Sequence, residues 1–274
     1  MAGLASDGAV WLAICVAGLL FPATATGQAY RPEVMSLNCG EETTYEVFFK
    51  WGILMPRAGE ATLSFDRTGD EARRYRLCFA TTRFFDAVYR MRDTLDCYYA
   101  PDGRLLSAVK YSDEGGYLLT DELTFSCAGE RTAIHSRRYT PTNTKIDTTL
   151  VSPSGHVFDM FGMVFYLRTL DCSSLRRDDC VNARVAIGRD LVNIVCRYGG
   201  RATVERDRRK YRTHHFTVEI RDEAFEQSKS ATEIWIGDDE NHLPIKIRSK
   251  LKIGAAEIYC KSARNLKGPI ECVQ

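Results

Sequence analysis

The chain has 274 residues and a mass of 30.9 kDa, enough for one large β-domain or two small ones. Its 37 Lys and Arg against 36 Asp and Glu leave a formal charge of +1, which argues against a general nucleic-acid binder with its basic excess. Charged residues are 27% and hydrophobic ones 45%, a globular composition that excludes wholesale disorder.

In chain order, Val10 to Phe21 reads VWLAICVAGLLF, shorter than the roughly 20 residues a membrane-spanning helix needs. Small residues follow, with Ala25 and Ala29 as cleavage positions. Residues 1–29 therefore read as a cleaved signal peptide. The segment before the apolar run departs from the pattern in carrying Asp7 and no Lys or Arg. The competing reading is a buried N-terminal helix. Export to the periplasm or outer envelope is expected, with no transmembrane helix after signal removal and peripheral membrane association open.

The mature chain keeps Cys39, Cys78, Cys97, Cys127, Cys172, Cys180, Cys196, Cys260 and Cys272, an odd number that cannot all pair within one chain. Cys78, Cys196 and Cys260 sit in apolar strand-like runs and read as small core residues. Cys172 and Cys180 flank the polar loop DCSSLRRDDC and form the best local pair for a disulfide. The absence of any C-x-x-C removes the main support for a zinc ribbon or thioredoxin-like protein.

Short runs of period 2 then dominate. Strands are expected in 44–51, in 60–66 with Ala61, Leu63 and Phe65 on one face, and in 75–80. Residues 95–111 form a hairpin about Asp102-Gly103. Further strands fall at 116–126, 131–140 and 191–198, the last followed by Gly199-Gly200 and another run at 201–206. The series ends with 211–221, 232–237, 243–253 and 255–262. Two segments break the period. TTRFFDAVYRMR has Phe84, Phe85, Val88, Tyr89 and Met91 at helical spacing behind Thr81 or Thr82 as N-cap. HVFDMFGMVFYLRTLD is apolar nearly all round, with Ser154 as a cap, and reads as a buried helix; a buried strand pair is its alternative. The fold class is all-β and mainly antiparallel: a large curled sheet, half-barrel or β-roll. It has one buried helix near 156–171 and a short helix near 82–92, in a single domain over 40–268.

Several segments carry a family resemblance. YEVFFKWGILMPRAGEATLSF contains Tyr45, Gly52, Ala58, Gly59 and Ala61; residues 84–117 follow; VFDMFGMVFYLRTLD contains Tyr166, Leu167 and Arg168; and residues 233–258 contain Trp235, Asp238, Asp239 and Pro244. Taken in this order, the chain resembles the bacterial exported family named domain of unknown function 3108. The resemblance implies an antiparallel β-architecture curled around a helix, similar to envelope lipoprotein-carrier and capsule-assembly lipoprotein folds. It implies no established activity or catalytic residue. The Cys-rich loops depart from the pattern.

The chemistry-bearing residues are sparse. His135, His156, His214, His215 and His242 form no metal-spaced pair. His214 and His215 are adjacent, so on a strand they face opposite sides. Asp238, Asp239 and Glu240 sit in GDDENHLP, whose residues favour a turn over acid–base or Ca²⁺ chemistry, and Asp178-Asp179 reads alike. The basic run with Arg201, Arg206, Arg208, Arg209, Lys210 and Arg212 is diluted by Glu205 and Asp207 and reads as a solvated hairpin tip, with acidic lipid or glycan as its functional alternative. No G-x-S-x-G, P-loop or G-x-G-x-x-G occurs. No cofactor, metal or nucleic-acid partner is expected, and no catalytic residue is assigned. Trp51, Phe84, Phe85, Tyr89, Phe158, Phe161, Phe165, Tyr166 and Trp235 are candidates to line a cavity between sheet and helix; a fully packed core is the competing reading. The expected function is a non-enzymatic periplasmic or envelope-associated β-protein that binds a lipid, an acyl chain or an envelope polymer. The alternative is an interaction module, without a ligand cavity, that docks on an envelope protein.

Overall fold

The computed structural model describes residues 38–68, 72–128, 131–153, 157–159, 162–221, 232–251 and 254–272. Residues 1–29, expected to be a signal peptide, and Ser154, His156 and Phe161 lie outside them.

The first half is a meander. It comprises β1 (Glu42–Lys50), β2 (Arg57–Thr68), β3 (Ala72–Thr81), β4 (Met91–Tyr99), β5 (Leu105–Glu114), β6 (Tyr117–Ala128), β7 (Arg131–Thr140) and β8 (Asn143–Ser152). The second half holds β9 (Val157–Phe158), β10 (Cys180–Ile187), β11 (Asp190–Arg206), β12 (Arg209–Arg221), β13 (Thr232–Gly237), β14 (Pro244–Lys250) and β15 (Ala255–Arg264). All join one 15-stranded sheet in the order β8-β7-β6-β5-β4-β3-β2-β1-β15-β14-β13-β12-β11-β10-β9. Every neighbouring pair is antiparallel except β9 with β10. Pairing of β1 with β15 joins the two halves, from Glu42↔Arg264 to Lys50↔Ala255.

The period-2 runs decide which face is buried. Ala61, Leu63 and Phe65 point inward on β2 as expected, and the hairpin turns about Asp102-Gly103 between β4 and β5. The sheet curls into a nearly closed barrel, because a twisted sheet of this width buries its apolar face by wrapping on itself. Side chains bridge the seam: Arg184 Nη1 donates to Ser152 Oγ at 3.1 Å, and the Ser136 hydroxyl donates to the Gly188 carbonyl.

The structure revises several of the expected elements. The helix near 82–92 is a single turn, α1 (Arg83–Asp86), capped by the Thr82 hydroxyl, which accepts from the Phe85 N–H at 3.4 Å. The chain from Met91 onward joins β4 instead, because Met91 is needed on the inward face. Gly199-Gly200 is no turn: β11 runs straight through it with a register shift between Tyr198 and Gly200. Gly199 is the extra residue of a bulge, Gly200 has φ +96°, and a Cβ on Gly199 would lie 2.5 Å from His215 Nδ1. The strands β8 and β10 add to those expected from the sequence. β8 buries almost nothing along its length, so its hydrophobic pattern is weak.

The helix expected near 156–171 is α2 (Gly162–Arg168), with Met163, Phe165, Tyr166, Leu167 and Arg168 all buried. It is shorter than expected because Val157 and Phe158 pair with Arg184 and Val185 of β10. The Asp159 carboxylate accepts from the Gly162 N–H at 3.0 Å, satisfying one free donor of the helix start. The helix plugs the barrel between two apolar clusters. Met163, Tyr166 and Leu167 join Phe158, Val185, Ile194, Phe216 and Ile234 on one side. Phe165 joins Phe65, Tyr75, Tyr99 and Ile134 on the other.

Candidate functional site

Eight of the nine aromatic candidates lie among the described residues, and they separate into three groups. Phe158, Phe165 and Tyr166 are core. Phe158 stacks on Tyr166 at 5.4 Å, and Phe165 lies 3.9 Å from the Tyr75 ring. Burial pushes the Tyr166 phenol up to about 12. Trp235 faces outward, stacked on His215 at 4.8 Å with the Lys246 ammonium 5.0 Å from its ring. Trp51, Phe84 and Tyr89 are exposed and Phe85 is half-buried. These residues therefore do not line one common cavity: alternation along β13 turns Trp235 outward, and α2 packs its rings into the core.

The exposed group gathers at one mouth of the barrel. Antiparallel succession puts the β1–β2, β3–β4, β5–β6 and β7–β8 connections at the same end. Trp51, Ile53, Leu54 and Met55 project from the first of these, with Ile53 102% exposed. Phe84, Val88 and Tyr89 project from the second, and Tyr117 and Leu118 from the third. Elsewhere among the described residues, the exposed large apolar side chains are Leu106, Tyr111 and Val151. Hydrogen bonds stitch the connections together. The Thr82 N–H donates to the Ala58 carbonyl at 2.9 Å, the Gly115 N–H to the Arg90 carbonyl at 2.8 Å, and the Tyr89 hydroxyl to Glu114 Oε2 at 3.2 Å. The β1–β2 tip is held by the Trp51–Leu54 bridge, with Gly52 at φ +58°.

Just inside this mouth the concave wall is charged. Lys110, Asp121 and Arg138 stand side by side in register on β5, β6 and β7. Arg138 Nε pairs with Asp121 at 2.5 Å and Lys110 Nζ with Asp93 at 3.5 Å. Asp93 is 6% exposed. Burial raises its pKa; Lys110 opposes the shift and Glu114 adds to it. A carboxyl whose pKa is raised by folding is disfavoured as an anion in the folded state. Its contribution to stability is therefore full below the unfolded pKa of about 3.9 and lost as pH rises through the folded value. Asp93→Asn is thus expected to be more stable than the parent at pH 7, with the gain vanishing below pH ~4. Paired urea titrations at the two pH values check this, and a loss of stability at pH 7 would count against it.

The opposite end is closed by polar ties. Arg168 at the end of α2 reaches Glu41 with both Nη atoms, at 2.8 and 3.2 Å, and donates to the Asn241 carbonyl at 3.0 Å. His242 Nδ1 meets the Arg168 carbonyl at 2.9 Å. Asp239 accepts from the N–H groups of Asn241 and His242, so GDDENHLP is the turn between β13 and β14, and Pro244 opens β14. Next to it, Tyr198 OH lies 2.8 Å from His214 Nδ1, and His214 Nε2 lies 2.9 Å from Asp238 Oδ1. His214 faces in and His215 out, as adjacency on a strand requires. Burial raises the Tyr198 phenol. This Tyr–His–Asp chain was not legible in the sequence, since 24 positions separate His214 from Asp238 and only the β12–β13 register unites them. With Tyr198 4% and His214 2% exposed, it ties β11, β12 and the turn together.

Cys172 and Cys180 are separate thiols, which corrects the expected local pair. Cys172 turns into the apolar cluster beside Leu170 and Leu175, where burial pushes it up to about 12. The Cys180 thiol lies 3.4 Å from the Asp178 carbonyl. No three His, Cys, Asp or Glu side chains converge on a metal-binding geometry among the described residues. None of the described helices is long and apolar enough to cross a membrane.

A family model described as "Protein of unknown function (DUF3108)" matches residues 44–261. The chain belongs to the DUF3108 family. Of its pattern residues, Tyr45 lies in the core, and a Cβ on Gly59 would lie 2.6 Å from the Ala80 carbonyl and the Phe79 ring. Arg168, Asp238, Asp239 and Pro244 hold the closed end. Among solved structures, this DUF3108 chain is similar to a crystal structure of a β-barrel-like protein of domain of unknown function DUF1849 from Brucella abortus. The TM-score is 0.55 at 9% identity, over 82% of this chain and 97% of that one, a likeness of fold alone. No curated protein matches the DUF3108 chain.

Proposed function

We propose that this protein is a non-enzymatic, exported binding module of the bacterial envelope that engages a lipid surface through the apolar mouth of its barrel. The observation that carries this reading is the concentration of exposed Trp51, Ile53, Leu54, Met55, Phe84, Val88 and Tyr89 at one end, where an ordinary soluble surface would scatter such residues. The rim also carries Arg83 and Lys250, both exposed and without an acidic partner among the described residues, which suits anionic headgroups. The plug by α2 supports engagement at the surface over enclosure of a ligand within the barrel. The apolar run before residue 29 supports export.

The test is flotation of protein purified from the envelope of expressing cells, with vesicles of phosphatidylcholine alone or with added phosphatidylglycerol. Binding to the anionic vesicles is expected. Burying one Ile or Leu side chain contributes about 1.5–3 kcal/mol, so the double substitution Ile53→Asp with Leu54→Asp is expected to weaken binding at least about tenfold. A parent that stays with the unbound fraction, or a double variant that floats equally well, would overturn the reading. The first result would move the function to a protein partner.

A further inference from the structure

At the end opposite the apolar mouth, the lower part of β15 has one bare edge. Its residues 260–264 run beside β1 on one side, through Tyr45↔Cys260, Thr44↔Ser262, Thr43↔Ala263 and Glu42↔Arg264, with Lys261 as the extra residue where the register shifts. On the other side β14 reaches only from Ala255 to Tyr259. Beyond Tyr259, the main-chain groups that point away from β1 have no ladder partner among the described residues. An interior strand of a wide sheet would ordinarily be paired on both sides, and an open edge is a ready template for another strand.

A cleft of about 590 Å³ lies in front of this edge, walled by the tip of the β11–β12 hairpin and by the segment 265–272. Its volume is in the range of ligand sites. Four cations line it, Arg206, Arg209, Lys261 and Arg264, and no Asp or Glu does. Arg206 is committed: it pairs with Glu46 at 3.1 Å and lies over the Phe48 and Tyr259 rings. Arg209 has no carboxylate partner among the described residues and is exposed. Lys261 and Arg264 reach Glu60 and Glu42 at 2.9 and 2.8 Å, but these pairs are open to water. Exposed ion pairs of this kind contribute little to stability and exchange readily for another anion.

We propose that this cleft is a binding site for an extended acidic peptide segment, which adds as a strand to the bare edge of β15 while its carboxylates meet Arg209, Lys261 and Arg264. Main-chain hydrogen bonds supply the affinity and alternate side chains the selectivity, as in strand addition generally. The five bare residues span about 16 Å of strand at roughly 3.3 Å per residue, which sets the length of the segment. The charge also explains why the edge is left open: a row of cations discourages pairing with a second copy of the same edge. The site is independent of the apolar mouth, at the other end of the barrel.

The experiment is fluorescence anisotropy with a labelled, acetylated hexapeptide of alternating valine and glutamate. Its alternating valine–lysine counterpart and a glutamate version N-methylated at alternate residues serve as controls. Binding of the acidic peptide is expected, at least tenfold weaker for the lysine counterpart and lost on N-methylation, which removes the ladder donors without touching the protein. Arg209→Glu is expected to weaken binding at least tenfold while the unfolding midpoint holds. Undiminished binding of the N-methylated peptide would overturn strand addition. Saturable binding of dextran sulfate with none of the acidic peptide would overturn the peptide and leave a site for anionic glycan.

Discussion

Arg168→Met is expected to destabilise the protein by about 3–5 kcal/mol, the usual cost of leaving one charge of a buried pair alone. Arg168 is 6% and Glu41 4% exposed, so the abandoned carboxylate is left largely shielded from water. The loss also frees the Asn241 carbonyl, and Asn241 in turn holds the tail, its Nδ2 donating to the Gly268 carbonyl at 3.0 Å. One guanidinium thus links the end of α2, the chain before β1, the β13–β14 turn and the C-terminal segment. Arg168→Lys is expected to recover only part of the stability, because an ammonium cannot reproduce the two-pronged contact. Arg168→Met combined with Glu41→Met is expected to be markedly more stable than the single variant, since an apolar pair of similar volume carries no desolvation penalty. Urea denaturation of the four proteins decides it. A single variant within 1 kcal/mol of the parent would show that the pair contributes little.

Phe165→Ala is expected to cost about 3–5 kcal/mol, the range for deleting a fully buried ring. Phe165 is 1% exposed and lies 3.9 Å from Tyr75, which meets Phe65 at 4.8 Å and Tyr99 at 5.1 Å. It is the residue by which α2 grips the β1–β8 half of the barrel. Phe84→Ala, at a ring 72% exposed, is expected to change stability by no more than about 0.5 kcal/mol. The contrast separates core packing from the mouth, and thermal and urea unfolding of both variants measures it. Similar losses for the two would place Phe84 in a packed environment the structure does not give it.

The sequence carried the pleat and the plug. Ala61, Leu63 and Phe65 could only face one side of a strand, and a segment apolar all round, from Met163 to Leu167, could only be interior. The family pattern was also legible, and with it the Arg168 that closes one end. Element type is a local property: the period of the apolar positions and the chemistry of the turns fix it within a few residues.

Tertiary structure decided the rest. TTRFFDAVYRMR has helical spacing, yet only one turn forms, because pairing Met91 into β4 buries more than extending a surface helix would. Gly199-Gly200 has the composition of a turn, yet it is a bulge, because the strands on both sides continue along β12. Aromatic residues with one chemical character were sent to three places, the core for Phe165, the outer face for Trp235 and the rim for Trp51, by strand alternation and by the end at which each connection falls. Cys172 and Cys180 are near in sequence but turn to different surroundings. The His214–Asp238 contact, the charged wall at Lys110, Asp121 and Arg138, and the bare edge of β15 all depend on which strand lies beside which. Strand order and register bring together residues far apart in the chain, and no local pattern in the sequence encodes that adjacency.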